Sequence, residues 1–173
     1  NRSRFRQLFF QTIFGLTFTL NISQGIVLAG DPFRQNNPRS IDKNTEAAFI
    51  AIFKEGNYQE AKRYLNLAEK AEADEPLTFA MYGSLAFTNK EWENLKGYAD
   101  RTLQAAKTIA DKDPLRSNLY QAVGYSLEGA YIYQKEGAVS AIPKLQQGFY
   151  YFDEAEKNDP EDPEFNLLKG YLD

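Results

Sequence analysis

Residues 53–71 read FKEGNYQEAKRYLNLAEKA, and the fold is decided by how this stretch is understood. A Gly56-Asn57-Tyr58 turn is followed by Ala61, Leu65 and Ala68. Residues three and four apart share one face of a helix. The inward stripe therefore alternates small and large apolar side chains, and none of them is equipped for chemistry. Two helices approach to ~8–10 Å, the distance being set by the side chains at the contact, so a small residue admits a close neighbour. The question is whether the chain uses the device again.

Shifted by 34 residues, Tyr58 falls on Trp92 in NKEWENL, Asn57 on Glu91 and Phe49 on Gly83. The stretch FAMYGSLAFTNKEW supplies Phe79, Tyr82, Gly83 and Ala86, and YSLEGAYIYQKEGAVSA supplies Tyr125, Gly129, Ile132 and Ala141. The third copy is stretched: 129 − 83 is 46 residues, twelve more than 34. Twelve residues make about three helical turns, expected around TIADKDPLRSNLYQAVGY.

This pattern resembles the tetratricopeptide repeat (TPR) family, whose 34-residue unit is a helical pair with small and aromatic residues at fixed positions and a closing Pro. The resemblance runs from Ile41 to Asp159, with a partial fourth copy in PEFNLLKGYLD. The first unit matches in its second helix, at Tyr58, Ala61, Leu65 and Ala68, with Pro76 closing it. The second matches in its first helix, and the third at Gly129, Ala141, Leu145 and Gly148. Phe49, Leu95 and Glu128 stand where the pattern differs. The resemblance implies an all-α fold: antiparallel helix pairs stacked as a short right-handed solenoid, about three units plus the start of a fourth.

Helices are expected near 42–55, 58–72, 77–89, 91–110, 115–135 and 139–157, with a last one after Pro163. ADEP, DKDP and NDPEDP are the turns between units, since Pro cannot continue a helix and suits the start of the next. Pro143 is tolerable if its helix starts near Val139, where the first amides lack partners anyway. Gly83, Gly129, Ala61 and Ala141 let backbones close in, and Tyr58 and Trp92 are expected to cover the gaps as core aromatics.

The chain has 173 residues, enough for one domain, and no Cys or His, which excludes disulfides, thiolate or imidazole metal ligands and every Ser-His relay. The first thirty residues hold Arg2, Arg4 and Arg6 and no acid; the rest holds 20 − 3 = 17 bases against 24 acids, or −7. An acidic body argues against nucleic acid.

The N-terminal stretch has three parts. Three arginines precede an apolar run from Leu8 to Leu20, a more polar Asn21–Gly25 follows, and Val27 and Ala29 sit as small residues before Gly30. This is the layout of a secretory signal. Leu8 to Ala29 is also long enough for a membrane anchor, although Gln11, Asn21, Ser23 and Gln24 make a poor span. A helix packed on the domain is the third reading. Residues 1–30 are thus read as a signal peptide or anchor, 31–40 (DPFRQNNPRS) as a linker, and 41–173 as the repeat domain. The repeats are expected outside the cytoplasm, in a periplasm or thylakoid lumen. The apolar stripe Phe165, Leu168, Leu172 further suggests that the natural chain continues beyond Asp173.

No motif carries catalysis. NDPEDPE lacks the Gly and the ligand spacing of a calcium loop and reads as a solvated turn with acids at a helix start. No phosphate-cradling G-x-x-x-x-G-K-[ST] occurs. Glu69, Lys70, Asp100 and Arg101 read as surface charges. No cofactor, metal or catalytic residue is expected.

The resemblance implies that the first helices of successive units line a concave groove for a peptide or helix of a protein partner. The first unit would contribute Lys43, Glu46, Ile50, Phe53 and Lys54. The second would contribute Leu77, Ala80, Ser84, Phe87 and Thr88, and the third Val123, Ser126, Ala130, Tyr133 and Gln134. Phe53, Phe87 and Tyr133 share one repeat position and form an aromatic row. Packing of these residues on neighbouring helices is the equal alternative. Glu46 and Ile50 stand where chaperone-tail-binding modules keep Lys and Asn, which argues against that ligand. A protein-binding scaffold is the leading expectation; a helical module binding a small apolar ligand is the alternative.

Overall fold

The computed structural model describes residues 31–71 and 74–170. After an irregular segment, 31–42, the chain forms α1 (Lys43–Phe53), α2 (Tyr58–Ala71), α3 (Pro76–Thr88), α4 (Trp92–Thr108), α5 (Pro114–Glu136), α6 (Ala138–Asn158) and α7 (Pro163–Lys169). Among the described residues there is no strand, and the fold is all-helical. Each helix lies within two residues of its sequence reading. The stretch in the third copy is taken up as helix length, α5 having 23 residues and α6 21 against 13 for α3.

The odd-numbered helices start alike. Asp42, Glu75, Asp113 and Asp162 each accept a hydrogen bond from an amide of the first turn: Asn44 at 2.9 Å, Leu77 at 2.9 Å, Arg116 at 3.0 Å and Phe165 at 2.9 Å. Pro opens α3, α5 and α7, where its missing N–H costs nothing and its fixed φ fits the helix. The acid–Pro pairs Glu75-Pro76, Asp113-Pro114 and Asp162-Pro163 are therefore helix starts with a carboxylate at each, whereas Asp31-Pro32 and Asp159-Pro160 lie outside the helices. At the other end, Gly137 (φ +96°) is the single residue between α5 and α6. A side chain at that φ would be strained.

Sequential helices are antiparallel neighbours. Tyr82 of α3 stacks on Tyr98 of α4 with centroids 4.6 Å apart, and Tyr125 of α5 on Tyr151 of α6 at 5.5 Å. Odd helices also lie beside one another, pointing the same way. Thr45 of α1 bonds Thr78 of α3 through their hydroxyls at 2.9 Å; Leu127 of α5 covers Gly83 of α3; Arg116 and Tyr120 of α5 reach Glu164 of α7. The starts of α1, α3, α5 and α7 consequently gather at one edge.

The small residues do what the opening stretch suggested. Ala61, Ala68, Ala99 and Ala141 are fully buried. A Cβ on Gly83 would lie 2.7 Å from Leu127, one on Gly129 2.8 Å from Leu145, and one on Gly124 2.7 Å from Leu103. α3 is enclosed on nearly every side, with Leu77, Phe79, Ala80, Met81, Tyr82 and Leu85 all in the main core.

Three expectations are corrected. Tyr58 is 54% exposed and is not a core aromatic; it is the first residue of α2, just past the turn that follows α1. Pro143 lies five residues into α6, past the amides that lack partners. It is tolerated because the first turns of α6 face solvent: Val139 is 81% and Ile142 48% exposed, so the freed carbonyl can meet water. Finally, NDPEDPE is not wholly a solvated turn. Asp159 and Glu161 are exposed, but Asp162 is 1% and Glu164 0% exposed.

Candidate functional site

The residues expected to line a groove grade from open to enclosed along the odd helices. Lys43 is exposed at the start of α1. Leu77, Ala80 and Glu46 are buried, and Leu77 belongs to the main core. Ile50, Ser84, Phe87, Val123, Ser126, Ala130 and Tyr133 are half-buried. Phe53 (38% exposed), Lys54, Thr88 and Gln134 open to solvent at the C-terminal ends. In the aromatic row, Phe53 packs on Phe49 of its own helix at 4.7 Å, and Phe87 meets Trp92 edge-on at 6.1 Å. Phe87 and Tyr133 therefore offer part of each ring to solvent and keep part in the core.

The opposite, N-terminal edge holds a charged network that sequence reading missed. Arg116 lies at its centre. Its Nε donates to Glu164 Oε2 at 2.8 Å, and its two terminal nitrogens donate to Glu75 at 2.8 and 3.2 Å and to Glu164 Oε1 at 3.1 Å. Tyr120, one turn on, donates its hydroxyl to Glu164. Arg39 donates to Asp113 at 2.8 Å, Asp162 at 3.1 Å and Glu164 at 3.1 Å, and Arg34 pairs with Asp162. The acids at the starts of α3, α5 and α7 are thus joined by three guanidiniums.

Two of those guanidiniums come from the segment 31–41, here called the strap. It folds on itself: the Asp31 carboxylate accepts the amides of Phe33 at 2.9 Å, Arg34 at 3.3 Å and Arg39 at 3.0 Å. Phe33 packs edge-on against Phe49 of α1 at 4.9 Å. Two consecutive residues, Phe33 and Arg34, therefore touch the first helix and the last.

Electrostatics follow from the charge count. Five carboxylates (Asp31, Glu75, Asp113, Asp162, Glu164) face three guanidiniums (Arg34, Arg39, Arg116). Burial pushes the Glu164 carboxyl above its ordinary value, against the pull of Arg116, Tyr120 and Arg39. Burial acts the same way on Asp162, but the Phe165 amide with Arg34 and Arg39 outweighs it, and its pKa is lowered. Burial likewise holds the Tyr120 hydroxyl well above its usual range. With almost no exposed surface, Asp162 and Glu164 can meet no substrate while the strap is in place.

The sequence did carry a signal for this edge. Acid–Pro pairs open α3, α5 and α7, and α1 opens on Asp42, so stacking the odd helices brings those acids to one edge. Arg116, three residues after Asp113, is placed to neutralise them. Arg34 and Arg39 carry no such signal, since they sit in a stretch with the composition of a linker. Glu69 and Arg101, read as surface charges, pair between α2 and α4, and Arg101 lies 4.0 Å over the Phe79 ring.

Two other surfaces stand out. α6 turns Val139, Ile142, Phe149 and Tyr150 outward, opposite its buried Ala141, Gly148 and Ala155. A shallow open depression on α2 is lined by Asn57, Gln59, Glu60, Lys62, Arg63 and Asn66, all polar. Among the described residues no cluster of acids suited to a metal ion was found, and no helix is long and apolar enough to cross a membrane. Residues 1–30, with the signal or anchor reading, lie outside the described residues. No family model, curated protein or solved structure matches this chain.

Proposed function

We propose that this chain is a non-catalytic protein–protein interaction scaffold of the TPR type. Its helix pairs stack as a short right-handed solenoid, and the concave face of the odd helices receives a peptide or helix of a partner. The observation that carries the reading is the parallel run of α1, α3 and α5. Thr45 and Thr78, 33 residues apart, meet at equivalent places on successive first helices, close to the 34-residue period of the family. A partner would bind over the half-open rings of Phe87 and Tyr133, flanked by Ile50, Phe53, Lys54, Ser84 and Gln134. Partly exposed aromatics supply contact area at low entropic cost. The open depression on α2 is polar, which lends no support to the alternative, a pocket for a small apolar ligand.

The same reading puts the repeats outside the cytoplasm, exported by residues 1–29 and either released by cleavage or tethered through residues 8–29. Sequencing the N-terminus of the protein from a fractionated source separates these: a start at Gly30 or Asp31 means release, and an intact Asn1 in a membrane fraction means tethering. An intact Asn1 in the soluble cytosol defeats both.

For the groove, a photo-crosslinking residue at Phe87 or Tyr133 should capture a discrete partner in the native membrane fraction. One at Lys157, exposed on the outer side of α6, should not. Equal capture from all three positions would overturn the assignment of the face.

A further inference from the structure

The strap is held to the helices in an unusual way. Among the described residues, no backbone–backbone hydrogen bond joins 31–41 to the body. Its backbone order comes from its own Asp31 carboxylate, and Gln35–Pro38 are exposed. Its grip consists of one aromatic ring on Phe49 and two guanidiniums on Asp113, Asp162 and Glu164. The buried Ile41 then leads into α1. The fit is incomplete, since Arg34 Nε is buried with no partner.

This is the manner in which a protein holds a bound peptide. An aromatic anchor fills an apolar seat, and arginines fork onto carboxylates with charge-assisted hydrogen bonds. Remove the strap, and the seat presents the Phe49 ring beside three carboxylates, two of them now almost fully buried. An acidic, partly desolvated site of this kind strongly favours a ligand that returns the two positive charges.

We propose that the strap is a removable plug, and that its seat is a binding site for an extended peptide bearing an aromatic–Arg pair with a second Arg about five residues on. The chain's own residues 31–39 fill that site in cis. The site lies at the N-terminal edge, away from Phe87 and Tyr133, and holds whether or not the concave face takes a partner. A ligand already tethered competes at high effective concentration, so the plug sets a threshold that an incoming peptide must exceed.

The test uses the full chain and a fluorescent synthetic peptide with the sequence of residues 31–41. In an Arg34→Gln/Arg39→Gln double variant the plug loses its charges while Phe33 remains. The peptide should bind this variant at least ten-fold more tightly than it binds the wild type. Binding should weaken as salt is raised and disappear when both peptide arginines are Gln. The peptide should also raise the Tm of the double variant and leave that of the wild type unchanged.

Equal affinity for the two chains, or undiminished binding of the Gln peptide, overturns the proposal. Should the double variant fail to fold, hydrogen exchange on the wild type decides. The amides of Phe33, Arg34 and Arg39 should exchange at least ten-fold faster than those around Tyr120 in α5. Strap amides that exchange only with global unfolding show a plug that never leaves, and refute the idea.

Discussion

Replacing Arg116 with Met tests the charged edge most directly. Arg116 makes four hydrogen bonds, two to Glu75 and two to Glu164, and is itself buried. Met keeps much of the stem volume and removes the charge. Glu164 retains Arg39 and Tyr120. Glu75, 7% exposed, is left with only the Leu77 amide. Breaking a buried ion pair from one side typically costs about 3–5 kcal/mol. For a chain of this length, 3–5 kcal/mol corresponds to a fall in Tm of about 10 °C.

Urea denaturation of Arg116→Met and wild type at pH 7 reads the cost. Adding Glu75→Gln, which keeps the oxygen that caps α3, should recover part of the loss at pH 7. A penalty under about 1 kcal/mol at pH 7, the size of an exposed pair, would refute the reasoning.

Two further outcomes are expected. Gly124→Ala drives a Cβ to within 2.7 Å of Leu103 Cγ and 3.3 Å of its backbone nitrogen, and should cost about 1–3 kcal/mol as overpacking; Gly97→Ala, with nothing within 4 Å, should stabilise α4 by about 0.5–1 kcal/mol, both read by urea midpoint. Asp162 and Glu164 should pull the pH profile in opposite directions. The lowered pKa of Asp162 gives stability that is present above the ordinary Asp range and is lost as pH falls through its folded value. The raised pKa of Glu164 gives stability that is full below the ordinary Glu range and is lost as pH rises through its folded value. Glu164→Gln should therefore gain on wild type between pH 4 and pH 7, and a difference that moves the other way would contradict the direction given for Glu164.

The helices were legible because their signals are local. Acid–Pro starts, Gly turns and the small-large stripe of Ala61, Leu65 and Ala68 each act over a few residues. The charged edge was not, because it is made by side chains far apart in sequence: Arg39 and Glu164 are 125 residues apart. No local pattern distinguishes Glu164, which is enclosed, from Glu161, which is solvated, though both lie in one acidic run. Tyr58 failed for the reverse reason. Its local pattern matched a core aromatic, but that role needs burial, and Tyr58 is 54% exposed. For the half-open groove residues, sequence position fixed which helices they occupy, while their exposure depends on how far each helix extends past the next.

The order in which these contacts can form has its own consequence. α5 and α6 are joined by Gly137 alone, so their long interface assembles through short loops, which close quickly. The charged edge cannot. During synthesis Arg39 and Glu75 emerge first, Arg116 can pair with Glu75 once α5 exists, and Glu164 arrives last of all. Until then Arg39 and Tyr120 lack the carboxylate that both contact in the finished fold. Completion of the edge is therefore a late event that reports on the arrival of α7, and a nascent chain halted before Asp162 would carry its helical hairpins with only Asp113, of the three carboxylates that grip the strap, in place to hold it.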